Sequence, residues 1–240
     1  MRPEQDAFGQ LLTANLRGSQ EPEVYERDDG YVSLGRGPAL YFAPYESWPP
    51  AEREASAYVQ GRVLDIGCGA GRHALHFQQQ GHDLVAVDIS PLAVQVCRER
   101  GVRDARALSI TQLSRSLGLF DTITLWGSFG MMGTPKRARW LLRRFHGLTT
   151  DQGRIIAAAL NPYGATDPAH LAYHEQNRQR GRLAGQVRIR VRFHQYATPW
   201  FDLLLVSPDE MRDLLSETGW HVTRTFGDEN GAYIPILEKT

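Results

Sequence analysis

Several features that would assign this chain to a specialised class of protein are missing or scarce. Acidic and basic residues cancel, 27 against 27, so the chain lacks the basic excess typical of nucleic-acid and membrane-surface proteins. No apolar run approaches the roughly 18 residues of a membrane-spanning helix, and the polar start has no signal-peptide core. Only two cysteines are present, which is typical of a reduced protein. These absences indicate a cytoplasmic protein that binds neither a membrane nor, as its main partner, a nucleic acid.

What the sequence does contain is organised around a glycine-rich stretch. Val63 to Ile66 is a short apolar run, and Gly67, Gly69 and Gly71 follow at alternate positions, where the backbone can approach a ligand closely. A helical run comes next, and then a second apolar run that ends in Asp88. Strand, glycine turn, helix and strand predict a nucleotide-binding βαβ unit.

The spacing within the turn indicates which kind of nucleotide is bound. Dinucleotide sites need G-x-G-x-x-G, but Arg72 stands where the third glycine of that motif would fall. Asp65 lies just before the turn, where it can receive a ligand ammonium but would repel a pyrophosphate. Asp88 can accept hydrogen bonds from both hydroxyls of a ribose. The pattern therefore favours a nucleoside that carries an amino-acid group.

Taken together, residues 64–71 and 87–90 resemble the class I S-adenosylmethionine-dependent methyltransferases. The resemblance implies a Rossmann-like α/β fold. Its sheet is mostly parallel and seven-stranded, its last strand is antiparallel, and its helices cover both faces. It also implies S-adenosylmethionine as cofactor and S-adenosylhomocysteine as product. A hairpin signal at residues 228–231, between two apolar runs, matches the way such domains end.

The resemblance also implies a set of cofactor-binding residues. The glycine turn is expected to contact the amino-acid arm, Asp88 the ribose, and Ile89 with Ile110 the adenine. Ser109 stands where an acid often contacts the adenine, and a serine hydroxyl binds there less strongly. The full set is Asp65, Gly67, Cys68, Gly69, Gly71, Asp88, Ile89, Ser109, Ile110, Leu125, Trp126, Gly127 and Ser128.

The length favours a single methyltransferase domain over residues 1–240. Residues 50–160 and 208–240 are expected to form its Rossmann-like core, and 161–207 an insertion on the substrate side. Residues 1–49 are rich in aromatics, and two interpretations stay open for them. They form a lid over the substrate and the sulfonium cation, or an apolar strap packed on the domain.

The segment after the strand predicted at residues 120–125 indicates which kinds of methyl acceptor are expected. Trp126-Gly127-Ser128 lacks the Asn/Asp-Pro-Pro-aromatic motif common in amino-group and adenine methyltransferases, and no acid cluster that would bind a metal accompanies it. The sequence therefore predicts metal-independent methyl transfer to a small molecule by in-line displacement. An RNA methyltransferase and a non-catalytic S-adenosylmethionine-binding protein are the alternatives.

Two arginine-bearing stretches bear on the RNA alternative. Thr134 to Leu148 predicts a basic amphipathic helix. Gly185 to Tyr196 alternates apolar and basic residues and predicts a half-exposed strand. In one interpretation, the basic residues of both stretches lie on solvent-exposed outer faces. In the other, they bind an anionic substrate or partner.

Residues that line the substrate pocket are harder to predict. The candidates are Tyr41, His170, His174 and Trp200, with His174 as a weak candidate for a catalytic base. His170 and His174 share a helix face at a spacing that can bind zinc, but no third ligand is evident and no metal is predicted. The sequence does not determine the acceptor, a definite catalytic base or the oligomeric state.

Overall fold

The computed structural model describes residues 1–127, 129–228 and 230–240. Eight α-helices lie within these ranges: α1 Ala7–Leu16, α2 Pro38–Tyr41, α3 Pro50–Ser56, α4 Arg72–Gln79, α5 Pro91–Glu99, α6 Pro135–His146, α7 Pro168–Gln179 and α8 Pro208–Leu215. Single 3₁₀ turns occupy Pro3–Gln5, Tyr45–Ser47, Arg115–Leu117, Phe129–Met132 and Pro162–Gly164.

The described strands form two sheets. They are β1 Val24–Arg27, β2 Val32–Leu34, β3 Val63–Ile66, β4 Leu84–Asp88, β5 Ala105–Ala107, β6 Phe120–Leu125, β7 Thr149–Ala157, β8 Ala159–Leu160, β9 Gln186–Phe193, β10 Tyr196–Ala197, β11 Phe201–Leu204, β12 Trp220–Gly227 and β13 Ala232–Lys239.

The larger sheet has the strand order β12-β13-β7-β6-β3-β4-β5, with the short β8 paired to β13. The pairs from β7 through β5 are all parallel, whereas β13 runs antiparallel to both β7 and β12. The predicted Rossmann-like α/β fold, with a mostly parallel sheet and an antiparallel last strand, is confirmed. The two runs expected to be neighbours, β3 and β4, pair in register from Val63↔Leu84.

Alternating side chains of β3 point into two separate apolar clusters. Leu64 and Ile66 pack in the cluster that contains residues of α6 and α8, such as Leu141 and Leu214. Val63 packs in the other cluster, with residues of α3, α4 and α5. Because consecutive side chains of a strand face opposite sides, helices cover both faces of this sheet.

The helices begin where the sequence provides capping groups. Ser90 accepts a hydrogen bond from the amide of Ala93 at the start of α5. Ser207 and Glu210 form a capping box at the start of α8. Each of these helices also has proline at its first position. Proline lacks an N–H, and an N–H at that position would have no acceptor within the helix, so no hydrogen bond is lost.

The smaller sheet joins two distant parts of the sequence. Its order is β10-β9-β1-β2, and β11 also pairs with β9. The N-terminal hairpin β1–β2 thus extends the antiparallel pair that residues 185–196 and 200–206 predict, for example at Tyr25↔Val191. Helix α1 packs on this sheet, with Ala7 and Leu11 against Phe193. The run Asp28-Asp29-Gly30 predicts a turn, but nothing in the sequence predicts the strands on either side of it.

Several predicted elements have different bounds. The apolar spacing of residues 4–16 predicts one helix, but it is interrupted at Asp6, whose side chain caps α1 by accepting a hydrogen bond from the Gly9 amide. Residues 103–110 predict the third core strand, but this strand, β5, is only three residues long. The fifth strand is predicted at residues 154–160, whereas β7 begins earlier, at Thr149. Within the described ranges, no helix is long and apolar enough to cross a membrane.

Candidate functional site

The glycine turn connects β3 to α4 at the carboxyl end of the sheet. Gly67, Gly69 and Gly71 have φ values of 72°, 53° and 78°, in the left-handed region where glycine alone is unstrained. The amides of Gly67 and Cys68 both donate to the carbonyl of Val87 in β4, at 2.8 and 3.1 Å. The turn is therefore held against the end of the neighbouring strand.

Asp65 is buried in β3, just before this turn, with 2% of its surface exposed. Its Oδ1 accepts a hydrogen bond from the Thr124 hydroxyl at 2.8 Å. Burial raises the pKa of the Asp65 carboxyl to about 7, although the Thr124 bond opposes that rise. A buried acid of this kind is stabilised in its charged form by a cation, such as a ligand ammonium.

Asp88 ends β4 and binds the turn from the other side. Its Oδ2 accepts from the amide of Gly69 at 3.0 Å, and its Oδ1 accepts from the amide of Ser90 at 2.9 Å. Burial raises the pKa of this carboxyl despite the two amides. The next residue, Ile89, is 55% exposed, so an apolar side chain is accessible to a ligand directly beside the Asp88 carboxylate.

Helix α1 lies over the glycine turn. A Cβ placed on Gly69 would stand 3.8 Å from Phe8 Cε1 and 3.9 Å from Leu12 Cδ1. The helix is attached by Asp6, whose Oδ2 accepts a hydrogen bond from the Ser90 hydroxyl at 2.9 Å. Asp6, Ser90 and Asp88 therefore form a buried polar connection between the N-terminal segment and the expected ribose-binding acid.

A second group of polar side chains lies at the start of α4. Arg72 pairs with Glu52, and His73 Nε2 lies 3.0 Å from Arg72 Nη2. The His73 ring stacks on Trp126, with centroids 4.7 Å apart, and burial lowers its pKa to about 4. The Trp126 Nε1 is buried and has no hydrogen-bond partner among the residues that the structure describes, although buried donors are nearly always paired.

The remaining expected cofactor residues occupy different surroundings. Ser109 lies in the loop after β5, 3.0 Å from the Thr111 hydroxyl, and Ile110 is half-buried. Leu125 is buried at the end of β6, and Gly127 is exposed. Ser128 lies outside the described residues. Their contacts with a cofactor stay predictions.

The expected substrate residues do not form one group. Tyr41 contacts Phe8, with ring centroids 5.0 Å apart, and so lies close to the glycine turn. His170 Nδ1 is 2.7 Å from Arg27 Nη1, within the attachment of α7 to the small sheet. Trp200 stacks with Arg190 on the other face of that sheet.

His174 lies four residues after His170 in α7 and has only 5% of its surface exposed. Burial lowers the pKa of its imidazole, and the nearby His170 adds to this effect. The ring therefore favours the neutral form that a base requires, and its role in proton transfer stays a prediction. Among the described residues, no group of three or more His, Cys, Asp or Glu side chains is arranged to hold a metal ion.

Sequence reasoning missed several residues of this region. Asp6 carried no signal beyond its position before an apolar helix, which is typical of an N-cap. Glu52 and His73 face each other only because α3 and α4 pack on the same side of the sheet. Arg72 was noted for breaking the dinucleotide motif, but its pairing with Glu52 depends on a contact between helices.

The described residues fit an amino-acid-bearing nucleoside. The turn carries no side chain at Gly67, Gly69 and Gly71, and Asp65 lies directly before it. That Asp65 receives a ligand ammonium stays a prediction. The unpaired Nε1 of Trp126 and the nearby Arg72 offer donors to a carboxylate. With Asp88 at the next strand end, this arrangement defines a nucleoside-binding domain of Rossmann type.

Comparison with known proteins gives the family. Residues 63–153 match the family model described as a methyltransferase domain. Taken with the fold and the glycine turn, this match shows that the chain carries a class I S-adenosylmethionine-dependent methyltransferase domain. The chain is thus an S-adenosylmethionine-dependent methyltransferase, as its sequence motifs predicted.

Two sequence relatives and two solved structures illustrate the similarity. Glycine/sarcosine N-methyltransferase of Halorhodospira halochloris is 25% identical over 187 residues, which are 72% of this chain and 70% of that protein. Ubiquinone biosynthesis O-methyltransferase of Xanthomonas euvesicatoria is 31% identical over 106 residues, 42% of this chain and 43% of that protein.

The solved structures extend the similarity to the whole fold. A methyltransferase from Bacteroides fragilis, in complex with S-adenosyl-L-homocysteine, superposes with a TM-score of 0.82 at 23% identity, covering 100% of this chain and 97% of that one. A Burkholderia thailandensis 1,6-didemethyltoxoflavin-N1-methyltransferase gives a TM-score of 0.53 at 20% identity, covering 80% and 79%.

Proposed function

We propose that this protein transfers a methyl group from S-adenosylmethionine to a small-molecule acceptor without a metal ion. The observation that carries this proposal is the cover that helix α1 forms over the glycine turn, where Gly69 is buried. The small sheet packs on this helix. An acceptor has to fit beneath that cover, which suits a small molecule better than a folded polymer. Cytoplasmic localisation, indicated by the two unpaired cysteines, stays a prediction.

The cofactor supplies an electrophilic methyl group on a cationic sulfur. The chain then has to bind the cofactor and the acceptor, orient them towards each other and exclude water. Asp65 and Trp126 are the groups proposed to hold the amino-acid arm, and Asp88 the ribose hydroxyls. Because in-line displacement requires mainly alignment, positioning beneath α1 supplies much of the rate enhancement.

The charge distribution argues against the RNA alternative. Arg190 and Arg192 of β9 both pair with Glu26, and Arg188 pairs with Asp202. Four of the five bases of the α6 stretch donate instead to backbone carbonyls; these are Arg137, Arg139, Arg143 and Arg144. Basic side chains that are held in ion pairs or hydrogen bonds within the molecule are less available to contact the phosphates of RNA.

Calorimetry with S-adenosylhomocysteine tests the cofactor site, and the absence of binding at millimolar ligand would defeat the proposal. Methyl transfer from labelled S-adenosylmethionine into fractionated metabolites tests the acceptor class. Incorporation into fractions of low molecular mass is expected. Incorporation into RNA instead, with binding that weakens steeply as salt rises, would favour the RNA alternative.

A further inference from the structure

An acidic group lies buried next to the cover of the cofactor site. Glu23, just before β1, has 0% of its surface exposed. Its Oε1 accepts hydrogen bonds from the hydroxyls of Tyr41 and Tyr25, the latter at 3.1 Å, and the two phenol oxygens are 3.4 Å apart. The second oxygen, Oε2, is buried and has no hydrogen-bond partner within residues 1–127, 129–228 and 230–240. We name Glu23, Tyr25 and Tyr41 the carboxylate–phenol cluster.

No cation neutralises this cluster within the described parts of the chain. No nitrogen of an Arg, Lys or His side chain there lies within 4.0 Å of the Glu23 carboxylate. Burial raises the pKa of Tyr25 to about 12 and raises that of Tyr41 further, so both phenols remain hydrogen-bond donors. A fully buried carboxylate without a counter-charge is costly, and a bound cation offsets that cost.

The cluster is adjacent to the cofactor turn. The Tyr41 ring meets the Phe8 ring edge-on, and Phe8 Cε1 is 3.8 Å from the position that a Cβ would take on Gly69. One aromatic ring therefore separates the cluster from the glycine turn. Tyr25 shares its side of β1 with Arg27, whereas Glu26 points to the other face, towards Arg190.

The backbone is shaped around the carboxylate. Gly35 lies opposite Glu23 across the hairpin, and a Cβ on Gly35 would stand only 2.0 Å from the carboxylate. Any side chain at that position would displace the acid. The carboxylate is thus held in place by Gly35 on one side and by two phenols on another, which limits the geometry available to its free oxygen.

We propose that the carboxylate–phenol cluster is the site that binds the acceptor, and that it selects acceptors carrying a protonated amine. This inference rests on the proposed function, because it assigns the substrate side of the same site. Because Glu23 is fully buried in this structure, the segments around it have to separate to admit the acceptor. Its ammonium then donates to Glu23 Oε2, and the faces of Phe8 and Tyr41 stabilise its charge. The cluster binds and orients the acceptor beside the cofactor. Methyl transfer to this nitrogen requires that the ammonium first give a proton to the Glu23 carboxylate; the freed lone pair then attacks the methyl group as S-adenosylhomocysteine leaves.

The test uses the full chain saturated with S-adenosylhomocysteine. Ethylamine and ethanolamine serve as probes, and ethanol and ethylene glycol, their hydroxyl counterparts, serve as controls. Thermal stabilisation by the amines alone is expected. Glu23→Gln, which keeps shape and removes charge, should weaken amine binding about tenfold or more. Glu26→Gln is the matched control, because Glu26 lies three residues later, in β1, and points to the opposite face; this variant should bind amines like the unmodified protein.

Several outcomes would overturn the inference. Equal stabilisation by alcohols and amines would remove the preference for a cation. A Glu23→Gln variant that melts higher and binds amines unchanged would show a neutral, purely structural carboxyl. If Glu23→Gln fails to fold, Tyr41→Phe replaces it, because it removes one donor and keeps the ring; unchanged amine binding by that variant would also count against the inference.

The proposed function and this inference fail separately. If the protein binds S-adenosylhomocysteine but shows no preference for amines, the inference about the carboxylate–phenol cluster is wrong and the proposed function stands. If the protein binds amines through Glu23 but does not bind S-adenosylhomocysteine, the proposed function is wrong. The cluster then remains a site that binds amines. A survey of methyl transfer to primary amines and their hydroxyl analogues then checks that the bound amine is the acceptor.

Discussion

The Asp88 carboxylate accepts a hydrogen bond from the amide of Gly69 at 3.0 Å, joining the end of β4 to the middle of the glycine turn. Its other oxygen binds the Ser90 amide, and the Ser90 hydroxyl donates to Asp6 at the start of α1. A single carboxylate therefore connects the expected ribose site, the glycine turn and the helix that covers both. Changes at this point should affect cofactor binding before they affect the fold elsewhere.

Replacing Asp88 with asparagine should weaken binding of S-adenosylhomocysteine about 10- to 100-fold, because ribose hydroxyls lose a charged acceptor. Calorimetry at constant salt measures the loss. Asp104→Asn is a suitable control, since Asp104 pairs with Arg106 near the edge of the sheet. An affinity unchanged by Asp88→Asn would remove this residue from the proposed site.

Binding of S-adenosylhomocysteine should strengthen as pH rises through about 7. The buried Asp65 has a pKa raised from 3.8 to about 7, and only its charged form attracts an ammonium. Asp65→Asn should bind more weakly at high pH and show a flatter pH profile. A profile identical to that of the unmodified protein would contradict the role given to Asp65.

The same shift has a consequence for stability. Because the pKa of Asp65 is higher in the folded state, the folded chain binds more protons than the unfolded chain between about pH 4 and 7. The contribution of Asp65 to the free energy of unfolding should therefore decline as pH rises across that window. Urea unfolding of Asp65→Asn and of the exposed control Asp83→Asn, relative to the unmodified protein, measures this difference.

His73 should have the opposite effect. Its pKa is lowered from 6.5 to about 4 by burial, so protonation favours the unfolded chain. Its stabilising contribution is present above about pH 6.5 and is lost as pH falls towards 4, by up to about 3 kcal/mol. His73→Gln should remove this acid sensitivity, whereas His221→Gln on exposed β12 should retain it. Parallel acid-unfolding curves for the unmodified protein and His73→Gln would refute the assignment.

Gly9→Ala should destabilise the protein, although alanine normally favours a helix interior over glycine by about 1 kcal/mol. The added Cβ would stand 2.3 Å from the Ser90 hydroxyl and 2.6 Å from Asp6 Oδ1. The Asp6 and Ser90 side chains, or helix α1 itself, would then have to move, and the Asp6–Ser90 attachment of the helix would be disturbed. Lower thermal stability and faster release of S-adenosylhomocysteine are expected. Ala14→Gly, later in α1, controls for helix propensity alone: it should lower stability without the faster release.

Much of the core could be predicted because its signals are local. The apolar run of β3, the alternate glycines and the acid that ends β4 lie within residues 63–88, and backbone sterics there leave few conformations. The positive φ values of Gly67, Gly69 and Gly71 follow directly from that spacing. The terminal hairpin, signalled by residues 228–231, likewise formed where it was expected.

Contacts between distant segments were decided only by the tertiary structure. Nothing local in β1 indicates that Tyr25 pairs with Val191, since strand partners are chosen by packing and not by the strand's own sequence. The burial of Glu23 follows from that pairing together with the positions of α1 and Tyr41. The sequence by itself determined a methyltransferase core with a cofactor turn. The meeting of the N-terminal segment with the 161–207 insertion determined what covers that turn, because only the folded chain brings them together.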